Sequence, residues 1–523
     1  MFKLNPLMLN DFYKENHADL YNTDSAKIYA TWTPRKSRVH GVDKVVVFGI
    51  QSFIKEWLIE YFNDNFFNQD INQVVKEYLR LTRASLNLDG LGEDRIRALH
   101  KLGYLPLKIC ALEEGTLCPI RVPMLTVENT LPEFYWLTNF IESFMSSEIW
   151  GGMTSATLAR KYRGILDKWA DITCDDRSHV DFQAHDFSFR GMNTTKASYA
   201  SSAGHLLSFL GTDTVPALPW LEYYYNCNMD YGIIGTSIPA TEHSIAEFNS
   251  YGSEYDEYES LKRIITEVYP SGAVSYVGDT RNLWNVITDV LPRLKKEILS
   301  RDGKLVIRPD SGDPCDIICG INTKTYFDPY KGKDMPERLM TAEDSPYYES
   351  INKGVIELLW DIFGGTINSK GYKVLDWHIG CIYGDAITTE RAEEICYRLE
   401  SKGFASSNIV LGVGSFTYQY NTRDTFGFAL KTTYAKQGDT EMFLFKDPIT
   451  DSGEKKSNKG MVAVIQDGNT IKCIDHLYEK DKLALIDTDL LKPVFENGVL
   501  LRETTLEDIR ARLKQHSLEK VLL

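Results

Sequence analysis

Residues 304–314 read KLVIRPDSGDP. Leu305, Val306 and Ile307 form a short apolar run, followed at once by Arg308, a proline, Asp310 and a Ser311-Gly312 turn. A run of this length reads as a strand buried on both faces, and the residues after it as the loop where the chain meets water or a ligand. One strand ending in glycine and an acid is ordinary turn chemistry. Here the ending recurs. Ser208-Phe209-Leu210 precedes Gly211-Thr212-Asp213, and Ile233-Ile234-Gly235 leads to Pro239-Ala240-Thr241-Glu242-His243-Ser244. Residues 274–277 precede Gly278-Asp279, 377–383 precede Gly384-Asp385, and 409–411 precede Gly412-Val413-Gly414-Ser415. With 305–307, six expected strands end in glycine plus an ionisable or phosphate-competent residue.

Helical spacing fills the intervals. Leu283, Val286, Ile287 and Val290 recur at i, i+3, i+4, i+7, as do Ala392, Ile395, Cys396 and Leu399, with glutamates at that helix's start and Lys402-Gly403 at its end. Strand alternating with helix predicts a parallel α/β core over 180–419. In a TIM-like (β/α) barrel all the strand ends fall on one face, where such barrels carry their sites. The flanks have another rhythm. Residues 44–50 (KVVVFGI) predict a strand leading into a helix over 51–62, and 105–127 read as β-rich with turns at Glu114-Gly115 and Pro119. Strands are expected at 428–434, 441–445 and 461–465, and a helix over 505–516. Residues 1–179 and 420–523 are therefore expected to form a second, mixed α+β domain from the two ends of the chain.

The totals narrow the function. The 523 residues are 43 % apolar and 25 % charged, as in ordinary globular proteins. A net charge of −15 weighs against non-specific nucleic-acid binding. No apolar run approaches the ~18 residues that span a bilayer, so neither nucleic acid nor membrane is an expected partner. The start, MFKLNPLMLNDFYKENH, lacks a signal-peptide pattern, and nine scattered cysteines without a CxxC pair suit reduced thiols in the cytoplasm. Cys315 and Cys319 have helical-neighbour spacing but no partner cluster to make a metal site.

Local positive charge remains. Arg308 can grip an anionic oxygen in bidentate fashion, while Asp310 and Asp385 can accept hydrogen bonds from sugar hydroxyls. The Gly412 and Gly414 turn can offer backbone N–H groups to a phosphate. Arg423 and Lys431 come next along the chain, and an expected hairpin loop over 446–460 carries Lys446, Lys455, Lys456 and Lys459. A phosphorylated sugar is the ligand this pattern suggests.

HDFSFRG at 185–191, GTDT at 211–214, EHS at 242–244, RPDSG at 308–312, NSKGYK at 368–373, Thr422-Arg423-Asp424 and FKDP at 445–448 lie in one order with Asp11-Phe12-Tyr13-Lys14. On these strings the chain resembles the nicotinamide phosphoribosyltransferases of the type II phosphoribosyltransferase family. The resemblance implies that nicotinamide and 5-phosphoribosyl-1-pyrophosphate give nicotinamide mononucleotide and pyrophosphate, with Mg2+ bound through the phosphates rather than by protein ligands and ATP as co-substrate. It implies that Phe187 and a second subunit's Tyr13 sandwich the pyridine ring and that Arg190 meets the carboxamide region. Asp213 is implied to accept from the carboxamide NH2, and an anionic acceptor suits an amide while repelling a carboxylate. Arg308, Asp310, Ser311, Gly312, Gly384 and Asp385 are implied to hold the phosphoribosyl group, and Gly412 and Gly414 its 5-phosphate. Arg35, Arg423 and Lys431, with Lys446 and Lys455, are implied to reach phosphates from the partner of a homodimer. His243 is implied to be phosphorylated by ATP, with Glu242 before it and Asp279 orienting its ring. His185 and His205 read as structural. The chain departs from the family pattern at Phe12, at Ser415 and Phe416 after the glycine turn, and at Ala429, where a hydroxyl is expected. The alternatives are a nicotinate phosphoribosyltransferase, which Asp213 opposes, and a binding or signalling protein on the same scaffold, which has no need of His243, Arg308, Asp310 and Asp385 together.

Overall fold

The computed structural model describes residues 4–251, 256–321, 346–384, 386–450 and 456–518. The chain divides into two compact units: 1–157 with 219–230 and 421–523, and 158–218 with 231–420. The expected core start at 180 thus differs from the observed boundary at 157/158. The physical reason is that this boundary falls inside one uninterrupted helix, Glu142–Thr173, where nothing in the local sequence changes. The inserted 219–230 belongs with the chain ends because Trp220 and Tyr225 pack on Phe48, the latter stacked at 5.3 Å between ring centroids.

Among the described residues the second unit is built on a parallel sheet of six strands. Their spatial order is Gly211–Thr212, Ala184–Asp186, Ile409–Val413, Ile379–Tyr383, Leu305–Arg308 and Val274–Val277. Leu305 and Ile307 are fully buried, as a doubly covered strand requires. Two expectations shift. Residues 208–210 are not a strand, because Leu206 caps the helix Thr195–His205 and pairing starts only at Gly211. Residues 233–235 form no strand either; the chain pairs through single parallel bridges, Thr236 to Gly211 and Ala240 to Ser275. Both edge strands are therefore bridged to the segment 236–240, and the parallel sheet is curled.

Among the described residues the first unit carries an antiparallel sheet of seven strands. Lys27–Thr33 pairs with Ala429–Gln437 on one side and Leu125–Asn129 on the other, so the two ends of the chain share one sheet. The strands flanking 446–460 do not pair with each other as an expected hairpin's would: Thr440–Phe443 belongs to this sheet, whereas Met461–Asp467 pairs with Thr470–Leu477. All nine cysteines are free, and no described helix is long and apolar enough to cross a membrane.

A buried acid in this unit makes its stability pH-dependent. Glu15 accepts a short hydrogen bond from Tyr78, and burial pushes its carboxyl up from 4.5 to about 7. A raised folded value means the folded protein binds this proton more tightly than the unfolded chain. The contribution is therefore full below 4.5 and is lost as pH rises to about 7. Its size is on the order of 3 kcal/mol. We expect the melting temperature of Glu15→Gln to gain on the parent between these limits. Parallel curves across that window would show that Glu15 is not the group responsible.

Candidate active site

In a parallel sheet every C-terminal strand end lies along one edge. This places Phe187, Asp213, Asp279, Arg308, Asp310, Gly384 and Gly414 together there. Asp385 and Lys455 lie outside the described residues.

Two carboxylates and an imidazole form the centre. The Asp310 N–H donates to Asp279 Oδ2 at 2.8 Å, fixing the two acids side by side. His243 Nε2 faces them, 3.6 Å from Asp310 Oδ2 and 3.9 Å from Asp279 Oδ1. Its Nδ1 is hydrogen-bonded to Thr280 Oγ1 at 3.2 Å, so a hydroxyl absent from the motif reading holds the ring. Asp279 Oδ1 and Arg308 Nε are buried without a hydrogen-bond partner among the described residues. Such groups are expensive unless a ligand completes them. Glycine at 384 is explained by crowding, since a Cβ there would stand 2.1 Å from Asp310 Oδ1. Glu242 is exposed and accepts from the Ser244 hydroxyl. The Ser311-Gly312 turn has Gly312 at φ 97°, and the Gly312 carbonyl accepts from Tyr383 OH at 2.9 Å.

A second cluster surrounds Asp213. Its Oδ1 accepts from His185 Nε2 at 2.8 Å and from Ser237 Oγ at 2.6 Å. Oδ2 receives no hydrogen bond among the described residues. Burial raises this carboxyl, but the His185 and Ser237 bonds and the Arg308 charge outweigh it and hold Asp213 below its ordinary value. His185 therefore does more than fill space: it aims Asp213, and its ring lies 4.6 Å from that of Phe187. Behind them Asp186 is fully buried and accepts from Ser188 N, Ser188 Oγ, Thr212 Oγ1 and Thr214 Oγ1. This ties the HDFS and GTDT strings together. His205 is buried, with burial pushing its ring down to about 4. It donates to the Gly211 carbonyl and meets Tyr418 OH, a structural role.

Two glycines of the expected phosphate turn differ in kind. Gly412 sits inside its strand, where a Cβ would lie 2.4 Å from the Tyr383 carbonyl and 2.9 Å from Phe187. Gly414 leads into the short helix Ser415–Tyr418. Ser415 presses on the loop of Arg190, since a Cβ on Gly191 would fall 1.9 Å from its Oγ. Arg190 itself is exposed.

The remaining candidates belong to the first unit. Tyr13 is 60 % exposed, its ring 5.3 Å from that of His17. Arg35 and Lys431 line a cavity of about 180 Å³ together with Thr31, Thr33, Arg121, Ala429, Lys456, Ser457 and Asn458. Burial pushes the Lys431 ammonium down, and Glu142 stands 3.7 Å from it. Arg35 Nε donates to the Gly427 carbonyl at 2.9 Å. Arg423 is half-exposed, 3.8 Å from Asp424. Lys446 is exposed and does not line the cavity, although its N–H donates to Ser457 Oγ at 2.9 Å. Sequence reasoning did not single out Asp186, Ser237, Thr280, Thr33 or Arg121.

The chain is similar to several known proteins. Residues 182–498 match the model of the nicotinate phosphoribosyltransferase (NAPRTase) family. The chain is 46 % identical to a nicotinamide phosphoribosyltransferase of Acinetobacter baylyi over 98 % of both chains. It is 34 % identical to one of Mycoplasma genitalium, over 88 % of this chain and 95 % of that one. A crystal structure of nicotinate-nucleotide pyrophosphorylase from Pyrococcus furiosus superposes with TM-score 0.52 at 14 % identity, covering 98 % and 94 % of the two chains. At that identity the likeness concerns the fold alone.

Proposed function

The chain belongs to the nicotinate phosphoribosyltransferase family, and from that premise we propose how its residues divide the work. It is a phosphoribosyltransferase that joins nicotinamide to 5-phosphoribosyl-1-pyrophosphate, releasing pyrophosphate, in pyridine nucleotide salvage. The reaction is a displacement at an anomeric carbon by the pyridine nitrogen, with positive charge growing on the ribose as the diphosphate departs. Asp310 accepts from the ribose hydroxyls, and its charge, with that of Asp279, favours that positive charge. Arg308 meets the anionic leaving group with its unpartnered Nε edge.

The choice of base is carried by one observation. Both donors to Asp213 land on Oδ1, which leaves Oδ2 as an ionised acceptor for the carboxamide NH2. A nicotinate carboxylate in that place would meet a like charge. Phe187 covers one face of the ring and Arg190 reaches the carboxamide side.

Magnesium fits the acidic pair: the buried, unpartnered Asp279 Oδ1 and the neighbouring Asp310 are the residues that would face an ion carried on the phosphates. When bound, it neutralises charge on the departing diphosphate. His243 is the residue we assign to phosphorylation by ATP, because Nδ1 is held by Thr280 and Nε2 is turned toward the acids. The working form is a homodimer in which Tyr13 of the partner subunit closes the other face of the pyridine ring. Arg35, Arg423 and Lys431 then serve a neighbour's phosphates; the cation-lined cavity supports this reading. The bridges of 236–240 to both edge strands support continuation of the curled sheet toward a barrel. The free cysteines accord with a cytoplasmic location.

Purified protein given phosphoribosyl pyrophosphate and magnesium, with either base and with or without ATP, tests the whole assignment. Mononucleotide is expected from nicotinamide alone, and faster with ATP. Product only from nicotinate would overturn the role of Asp213. In His243→Ala we expect synthesis to persist while ATP stimulation disappears; equal stimulation of mutant and parent would remove His243 from the ATP reaction.

A further inference from the structure

The cavity of the first unit contains two residues that neither the motifs nor the family resemblance assigns. Its floor is set by strand register. Thr31 lies directly opposite Lys431, and Thr33 directly opposite Ala429, across the pair Lys27–Thr33 and Ala429–Gln437. Directly opposed residues share a face of the sheet, so all four present to the same side. Arg35, Arg121, Lys431 and Lys456 line the cavity, and no carboxylate does so among the described residues. Thr33 is 7 % exposed, and its buried hydroxyl has no hydrogen-bond partner among the described residues. A buried hydroxyl without a partner, on a residue that lines a cationic cavity, is a group waiting for an acceptor. Arg121 is held at φ 74°, a left-handed backbone that residues with a Cβ seldom adopt. Its N–H donates to the Pro34 carbonyl at 2.6 Å, which ties it beside Arg35.

We propose that Thr33 and Arg121 are further anion-contacting residues of this cavity, Thr33 supplying the hydroxyl that Ala429 across the strand pair lacks and Arg121 a second guanidinium beside Arg35. The ligand chemistry is a phosphate or diphosphate group. The inference rests on the reading of Arg35 and Lys431 as phosphate contacts. It goes beyond that reading by relocating the hydroxyl function to the opposite strand.

The test is calorimetric titration of inorganic pyrophosphate into the full chain and into Arg35→Ala, Thr33→Val and Arg121→Gly. Thr33→Val preserves shape and removes only the hydroxyl. Arg121→Gly removes the guanidinium while suiting the left-handed backbone, so its melting temperature should not fall. Each of these two variants is expected to weaken binding about tenfold, the scale of one hydrogen bond to a charged group. Weakening in Arg35→Ala with parent-like affinity in the other two would overturn the proposal and leave the cavity reading intact. Parent-like affinity in all three, or no binding by the parent, would overturn both. Weakened binding in Arg121→Gly accompanied by a lowered melting temperature would count against Arg121 as a ligand contact, and Arg121→Lys, which keeps the charge, should then fail to restore affinity.

Discussion

Asp310→Ala is expected to lower kcat for mononucleotide formation by about a thousandfold, the upper scale for removing one preorganised electrostatic contact to a transition state. The backbone N–H that holds Asp279 survives the substitution, so the second acid keeps its place. What disappears is the carboxylate 3.6 Å from His243 and the acceptor packed against Gly384. The loss should therefore appear in kcat as well as KM, because charge on the ribose grows only along the reaction path. Asp310 is partly exposed and bears no structural hydrogen bond through its side chain among the described residues, so the melting temperature should change little. A fall of less than tenfold at saturating substrates would remove Asp310 from the reacting centre.

Asp213→Asn is expected to cut kcat/KM for nicotinamide by about a hundredfold and to raise that for nicotinate. The asparagine oxygen can still accept from His185 and Ser237, which both address Oδ1. Its nitrogen then occupies the place of Oδ2, turning an ionised acceptor into a donor. A carboxamide NH2 meets a second donor, and a carboxylate meets a welcome one. Competition between the two bases for limiting phosphoribosyl pyrophosphate reads the ratio directly. An unchanged ratio would show that Arg190 or the ring stack sets the preference instead.

Much of the parallel sheet was legible because four of its strands are mostly apolar runs with a glycine inside them or a few residues after them. Leu305–Arg308, Ile379–Tyr383, Ile409–Val413 and Val274–Val277 are of this kind. Ala184–Asp186 was not legible as a strand. It has three residues, two of them polar, and is stabilised by Thr212 and Thr214 more than twenty positions away. Residues 208–210 mimic a strand's apolar run but follow directly on a helix end, with the Ser208 and Phe209 N–H groups donating to the His205 carbonyl. The acids of the candidate site could be named from their loops, whereas Thr280 and Ser237 could not. Each matters only through a single contact that the folded chain creates. Thr33 and Arg121 illustrate the same limit. Their place in the cavity comes from register against a strand about four hundred residues later and from a backbone angle.

The contact between Ser415 and Gly191 has a consequence for how this sequence can change over time. A side chain at 191 clashes with Ser415 as it stands, since the Ser415 Oγ lies 1.9 Å and its Cβ 2.5 Å from the position a Cβ at 191 would take. The order of mutations is thereby constrained. Ser415→Gly opens the way to substitutions at 191, but Gly191→Ala first meets a clash in the loop that carries Arg190. A library that varies position 191 alone is expected to return mostly the parent, and one that varies both to enrich survivors in pairs.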